Sequence, residues 1–309
     1  MSFRNLGRAL LLVIRLDAIE LAVAGRFARV ACLLLSIIGV ASMSSPKVAA
    51  EETALKDLLP RLKPLEPQEA LKCFQIEKGF RIELVAAEPD VVDPIAIAFD
   101  EQLRLYVCED RDYPFPAKEG EQPIGRVRLL EDADGDRRYE RSTVFADHVH
   151  WPSGVVCWKG GVFVAAPPQI LYLEDTDGDR RADVRQVVFD GFGTTAAEDI
   201  MNNLKWGLDN RIYGVASYNG GDVRLVDSFN RTANGLREST SPRRRPLGTR
   251  LNDAPAAVSV RGSSFRFDPV TFKFERLPGT GDFGNCFDDW GNRFVTNAGM
   301  LLMHPVYSE

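Results

Sequence analysis

Two short acidic stretches carry the strongest chemical signal in the chain. Asp132, Asp134 and Asp136 alternate around Gly135, with Glu140 four residues further on, and Asp175, Asp177, Asp179 and Asp183 repeat the pattern at an offset of 43. Alternating carboxylates around a glycine turn converge on one point, which a hard cation taking six to eight oxygen ligands requires. The spacing therefore predicts calcium in a structural role. An EF-hand is excluded, because Arg137 and Arg180 stand where that loop needs glycine and both flanks read as strands. The competing reading is a pair of tight Asp-Gly hairpins, with Arg137-Arg138 and Arg180-Arg181 neutralising the carboxylates and no metal. Most other familiar catalytic motifs are missing from the sequence. Three histidines are too few for a multi-histidine metal site, and no CxxC, CxxCH, GxxxxGK[ST], HExxH or GxSxG occurs.

The elements that must position these residues are strands. From Gly79 onward the chain reads as short apolar alternations closed by Asp/Gly turns: RIELVAAEP, IAIAFDEQLRLYVCE, GRVRLLEDADGD and STVFADHV. A second repeat is an apolar strand, a polar turn and an apolar strand with a central aromatic. Its anchors Tyr106, Phe163, Tyr213 and Phe294 lie 57, 50 and 81 residues apart. All-strand periods of about 40 to 50 residues predict an all-β fold, a β-propeller of four-stranded blades. Rings of this kind have six or seven blades, whereas residues 79–309 supply about five units. Either the widest gap hides a blade or the ring is incomplete.

Composition fits a folded domain, with 45% hydrophobic and 27% charged residues. The net charge of −6, with no basic stripe, argues against nucleic acid as a partner. Residues 1–50 read as an export segment: Arg26 and Arg29 precede the apolar run Val30–Ala41, and Val48-Ala49-Ala50 suits cleavage. The alternative is an uncleaved N-terminal membrane anchor. Residues 51–75 form a Pro-rich acidic linker with one short helical stretch at Pro67–Gln75, and 76–309 form the propeller. A Ser-, Asn- and Arg-rich insertion at about 227–257 reads as a surface loop. Cys108 and Cys157 lie in apolar strands, as free thiols or as a bridge.

In a propeller the inner strand opens each blade, so the loops feeding it reach the channel mouth. If the aromatic-anchored hairpins begin with that strand, His150, Asn202, Asn203 and Asn285 lie at the mouth, with Asp199 just before. His150 is a candidate base or ligand, set against simple packing on Trp151. Asp199, Asn202, Asn203 and Asn285 are candidates to bind a polar ligand, set against ordinary turn duty.

The segments GFRIELVAAEPDVVDPIAIAFDE (79–101), EDRDYP (109–114), VFADHVHWPSGV (144–155), GGVFVAAPPQILYLEDTDGD (160–179), LKWGLDNRIYG (204–214), FRFDP (265–269) and FDDWGNRFV (287–295) follow in order. Together they resemble the N-terminal propeller of bacterial membrane-bound dehydrogenases, which is similar to glucose/sorbosone dehydrogenases. The resemblance implies a sugar or polyol ligand, calcium and the cofactor pyrroloquinoline quinone. It also implies downstream helical-repeat or cytochrome c domains as partners. In glucose/sorbosone dehydrogenases a channel histidine precedes a stretch matched here by WGLDNRIY (206–213), and counting back from it reaches Asp199.

Overall fold

The computed structural model describes residues 63–226, 256–279 and 281–306. The export segment, most of the linker and nearly all of the insertion lie outside the described residues. Almost all of those described belong to one compact unit, Leu65–Glu309. It opens with a short helix, α1 (Pro67–Leu71), with proline in its first turn, shorter than the stretch expected from the sequence.

Everything that follows is built from antiparallel strands. Strands β1 (Pro94–Phe99), β2 (Leu105–Glu109), β3 (Arg126–Glu131) and β4 (Arg141–Ala146) form the first four-stranded sheet, in chain order. Strands β5 (Gly154–Trp158), β6 (Gly161–Ala166), β7 (Gln169–Glu174) and β8 (Val184–Phe192) form the second. The chain then lays down β9 (Asn202–Trp206) and β10 (Ile212–Val215). It detours through β11 (Gly221–Leu225) and β12 (Val258–Ser259), which extend the second sheet beyond β8. It returns to complete the third sheet with β13 (Ser264–Phe267) and β14 (Phe274–Leu277). A final pair, β15 (Gly284–Phe287) and β16 (Arg293–Thr296), stands apart. The first strands run side by side, β1 next to β5, β5 next to β9 and β9 next to β15. This is a propeller-like all-β arrangement.

The aromatic anchors occupy the second strands. Tyr106 pairs with Ala98, Phe163 with Val156, Tyr213 with Lys205 and Phe294 with Cys286, so each hairpin does begin with the inner strand. Two expectations are corrected. Among the described residues there are two four-stranded sheets, one four-stranded unit widened to six strands and one two-stranded sheet, rather than about five units. The 81-residue gap holds the β11–β12 detour, which is spent widening the second sheet. RIELVAAEP forms no strand although its alternation is strand-like; among the described residues its one backbone bond to the first sheet's loop is the Tyr139 amide donating to the Val85 carbonyl at 3.3 Å. Cys108 and Cys157 are both free, the first buried within β2.

Side-chain alternation explains the stacking. On β6, Val162 and Val164 face the first sheet and pack with Tyr106, Leu129 and Phe145; Phe163 and Ala165 face the third and pack with Ile212, Phe265 and Phe267. All four of these β6 residues are fully buried. Close packing also fixes Gly214, where a Cβ would lie 2.4 Å from the Phe265 ring. Beyond the first sheet, Leu105, Val107 and Leu130 are covered by Val91 and Ala86.

One buried charge cluster ties that sheet together. The Glu109 side chain is fully enclosed; Arg128 Nε donates to its Oε1 at 3.0 Å and the Val92 amide does so at 2.8 Å. Arg126 Nε sits 2.6 Å from Oε2 as an ionic contact without an aligned hydrogen bond. Arg128 also donates to Ser142 Oγ at 3.0 Å, and that hydroxyl donates to the Asp90 carbonyl at 2.7 Å. Removing one partner of a buried pair strands the other charge and costs about 3–5 kcal/mol. Glu109→Gln is therefore expected to lose that much stability in urea denaturation. Glu83→Gln, which breaks the exposed pair with Arg81, is expected to lose under about 1 kcal/mol.

Candidate functional site

Strand direction sorts the polar residues into two ends. In each sheet the first strand starts, and the second strand ends, at one end, while the turn between the third and fourth strands lies at the other. The acidic loops are those third-to-fourth turns, Asp132–Glu140 between β3 and β4 and Asp175–Asp183 between β7 and β8. His150, Asn202, Asn203 and Asn285 belong to the opposite end, where the inner strands begin.

The two acidic loops share one backbone design. Asp132 accepts the amides of Gly135 (2.6 Å) and Arg137 (2.9 Å), and Asp175 those of Gly178 (2.7 Å) and Arg180 (2.9 Å). Arg137 and Arg180 both adopt φ 73°, and Gly135 and Gly178 φ 84° and 85°. Desolvation opposes ionisation of Asp132 and Asp175, but the donated amides outweigh it and hold both below the usual carboxylate value. Asp132, Asp134, Asp136 and Glu140 bring four carboxylates within reach of one ion, and Asp175, Asp177 and Asp179 bring three. Asp183 stands outside its group, because its carboxylate accepts from the Thr176 amide at 2.8 Å and from the Thr176 hydroxyl. Among the described residues no arginine of either loop is ion-paired to a loop carboxylate. Arg180 instead reaches Glu131 Oε2 at 2.5 Å, bridging the second sheet to the first.

At the other end, a cavity of about 580 Å³ opens between the starts of β1, β5 and β9. Ile95, Ile97, Val155, Ile200 and Leu204 form its apolar wall. Asn202 and Asn203 line it, and Asn285 joins them: Asn285 Nδ2 donates to the Asn203 carbonyl at 3.2 Å. Their amides are largely occupied in holding β9 to the next loop. Asn202 Nδ2 donates to the Asp282 carbonyl (2.7 Å) and Asn203 Nδ2 to the Phe283 carbonyl (2.8 Å). His150 is not in the cavity wall. Its Nδ1–H donates to the Pro167 carbonyl at 2.6 Å, an acceptor that fixes the tautomer, and its ring lies 4.6 Å from that of buried Trp151. Asp199 sits on a single 3-10 turn beside the wall; desolvation, then Asp282 and Glu198, raise its carboxyl. It is Glu198, its neighbour, that lines the cavity.

Sequence reasoning missed Asp110. It lines the cavity, is only 7% exposed, and neither of its carboxylate oxygens meets a donor among the described residues. Burial, then the nearby Asp112 and Asp93, push its carboxyl up to about 7. A carboxylate only accepts, so Asp110 and Asp112 can satisfy each other only when one holds a proton. The available signal was positional. The Asp-x-Asp of EDRDYP follows β2 directly, at the end where the inner strands begin, and the Asp110 amide donates to the Asp93 carbonyl at 3.1 Å. Lys205, Tyr113 and Phe283 complete the rim.

A family profile described as "Domain of unknown function (DUF7133)" matches residues 66–309. The chain belongs to the DUF7133 family. No curated protein matches it. Among solved structures, this DUF7133 chain is similar to the holo form of a pyranose dehydrogenase PQQ domain from Coprinopsis cinerea. The identity is 14% and the TM-score 0.41, over 72% of this chain and 47% of that one. It thus spans about half the length of that relative. It is also similar to a luciferin-regenerating enzyme (8% identity, TM-score 0.36, 69% and 60% covered). A calcium structure of a family AA12 carbohydrate-active enzyme from Trichoderma reesei gives 12% identity and a TM-score of 0.32, with 73% and 69% covered. Likeness at this level specifies neither ligand nor chemistry.

The raised Asp110 carboxyl has a consequence for stability. Between about pH 4 and pH 7 the folded state keeps a proton that the unfolded state has released. This contribution is fully present below about pH 4 and is lost as the pH rises through about 7. Asp110→Asn is expected to be more stable than the parent at pH 8, with the advantage shrinking towards pH 4, in urea denaturation across that range.

Proposed function

We propose that this chain is an exported, calcium-stabilised propeller module that binds a sugar or another polyol at the mouth of its axial cavity. The observation that carries the proposal is the cavity itself. At about 580 Å³ it falls within the usual range for small-molecule sites. It combines an apolar wall, the half-exposed rings of Tyr113 and Phe283, and a buried carboxylate with no donor. A sugar presents what this surface lacks: hydroxyl donors for Asp110 and C–H faces for the aromatic rings.

Oxidation of a bound alcohol needs a base for the hydroxyl proton and an acceptor for the hydride. Asp110 and Glu198 line the cavity, whereas His150 and Asp199 do not, and of the two Asp110 is the buried one. Pyrroloquinoline quinone is a tricarboxylate, and the wall offers one cationic side chain, Lys205, against Asp110 and Glu198. The residues present do not fit that cofactor, and we assign the module binding without a redox step.

Calcium at the acidic loops fits the donor set: four carboxylates in the first loop and three in the second, none paired with a loop arginine. Lying at the end opposite the cavity, it would brace the β3–β4 and β7–β8 turns and take no part in ligand binding. Calcium at about 100 times its dissociation constant is expected to raise the melting temperature of EDTA-treated protein by about 2–4 °C. Replacing Asp132, Asp136, Asp175 and Asp179 by Asn should abolish the shift; an unchanged melting temperature in the parent protein rejects the metal. Calorimetric titration with a panel of neutral sugars is expected to give saturable heat at millimolar concentrations, and its absence throughout the panel rejects the sugar site.

A further inference from the structure

We infer that the cavity selects a sugar carrying a primary ammonium group, held by Asp110 and Asp112. The inference rests on the sugar-binding proposal and names the ligand class of that same site. Three buried acceptors have no donor among the described residues: both oxygens of Asp110, which lines the cavity, and Oδ1 of Asp112, which lies beside Asp110 and outside the lining. The remaining oxygen, Asp112 Oδ2, accepts the Ile124 amide at 3.3 Å. A primary ammonium has three N–H donors and no acceptor, so it complements three orphaned oxygens in number as well as in charge.

The surroundings reinforce the sign of that charge. Asp93 and Asp112 act on Asp110, and Asp282 and Glu198 act on Asp199, while the cavity wall holds Lys205 as its one cationic side chain. Among the described residues Arg111, between the two aspartates in sequence, is ion-paired to neither, and Arg126 and Arg128 are committed to Glu109. A buried carboxylate pair without a counter-ion is costly, and a cationic ligand removes that cost on binding. A divalent ion is the poorer match. It wants six or more oxygens, and among the described residues the groups of three or more acidic side chains close enough to share an ion are the two acidic loops. The rings of Tyr113 and Phe283, each about half exposed, present faces on which a cationic sugar ring can stack.

The test is calorimetric titration of the full chain, at neutral pH and fixed salt, with glucosamine, N-acetylglucosamine, glucose and cyclohexylammonium. Glucosamine is expected to bind at least about ten-fold more tightly than glucose or N-acetylglucosamine. Asp110→Asn and Asp112→Asn should each remove most of that advantage, with circular dichroism checking that each variant is folded. Equal binding of glucosamine and glucose overturns the ammonium site and leaves the sugar proposal standing. Binding of cyclohexylammonium but of none of the three sugars supports the ammonium site and overturns the sugar proposal. Silence from all four ligands overturns both. An Asp110-dependent heat with calcium or magnesium alone makes the pair a metal site and overturns the inference.

Discussion

Val162 and Phe163 are neighbours on one strand, both have no solvent exposure, and they face opposite ways. A sheet apolar on both faces is stable only between two others, so the second sheet holds the first and third in place. Deleting a large buried ring from such a core typically costs about 3–5 kcal/mol. Packing of this kind also leaves no room for polar side chains between sheets. They are driven to the strand ends, where loops emerge, and the alternating strand directions divide them into two groups. The cavity residues gather at one end and the acidic loops at the other, because antiparallel strands in chain order admit no other arrangement.

Glu109 and Asp110 show how finely this division acts. They are consecutive, and a strand turns successive side chains to opposite sides. Glu109 is enclosed with two arginines and a backbone amide. Asp110, one residue on, is enclosed beside Asp112 and receives no donor. One carboxylate is neutralised by the fold's own arginines; the other is left needing something from outside it. A buried polar group that the structure does not satisfy is strained, and such strain concentrates where ligands bind.

Much of the fold was legible in the residues, since strand alternation, Asp-Gly turns and aromatic spacing are local patterns. The repeat at an offset of 43 marked the acidic loops as equivalent, and their backbones are indeed alike. The detour through β11 and β12 was not legible, because which sheet edge a hairpin joins depends on pairing far away in sequence. RIELVAAEP failed too, as alternation alone does not make a strand without a partner strand's backbone bonds. Among the site residues, Asn202, Asn203 and Asn285 do come together, but much of their hydrogen-bonding capacity ties β9 to the loop before β15. Asp183 departs from its counterpart Glu140 because Thr176, where the first loop has Ala133, supplies a hydroxyl that engages its carboxylate.

The sequence by itself determined the all-β character, the aromatic-anchored hairpins and the carboxylate spacing of the two loops, all set within a few residues by side-chain alternation and turn chemistry. Only the tertiary structure decided that His150 packs on Trp151 and bonds a carbonyl, away from the cavity wall. Only it decided that Arg180 pairs with Glu131, and that Asp110 stands buried without a donor. The reason is physical: whether a charged or polar group is satisfied depends on what the rest of the chain brings within about 3 Å of it, and that neighbourhood is not written in the residues on either side.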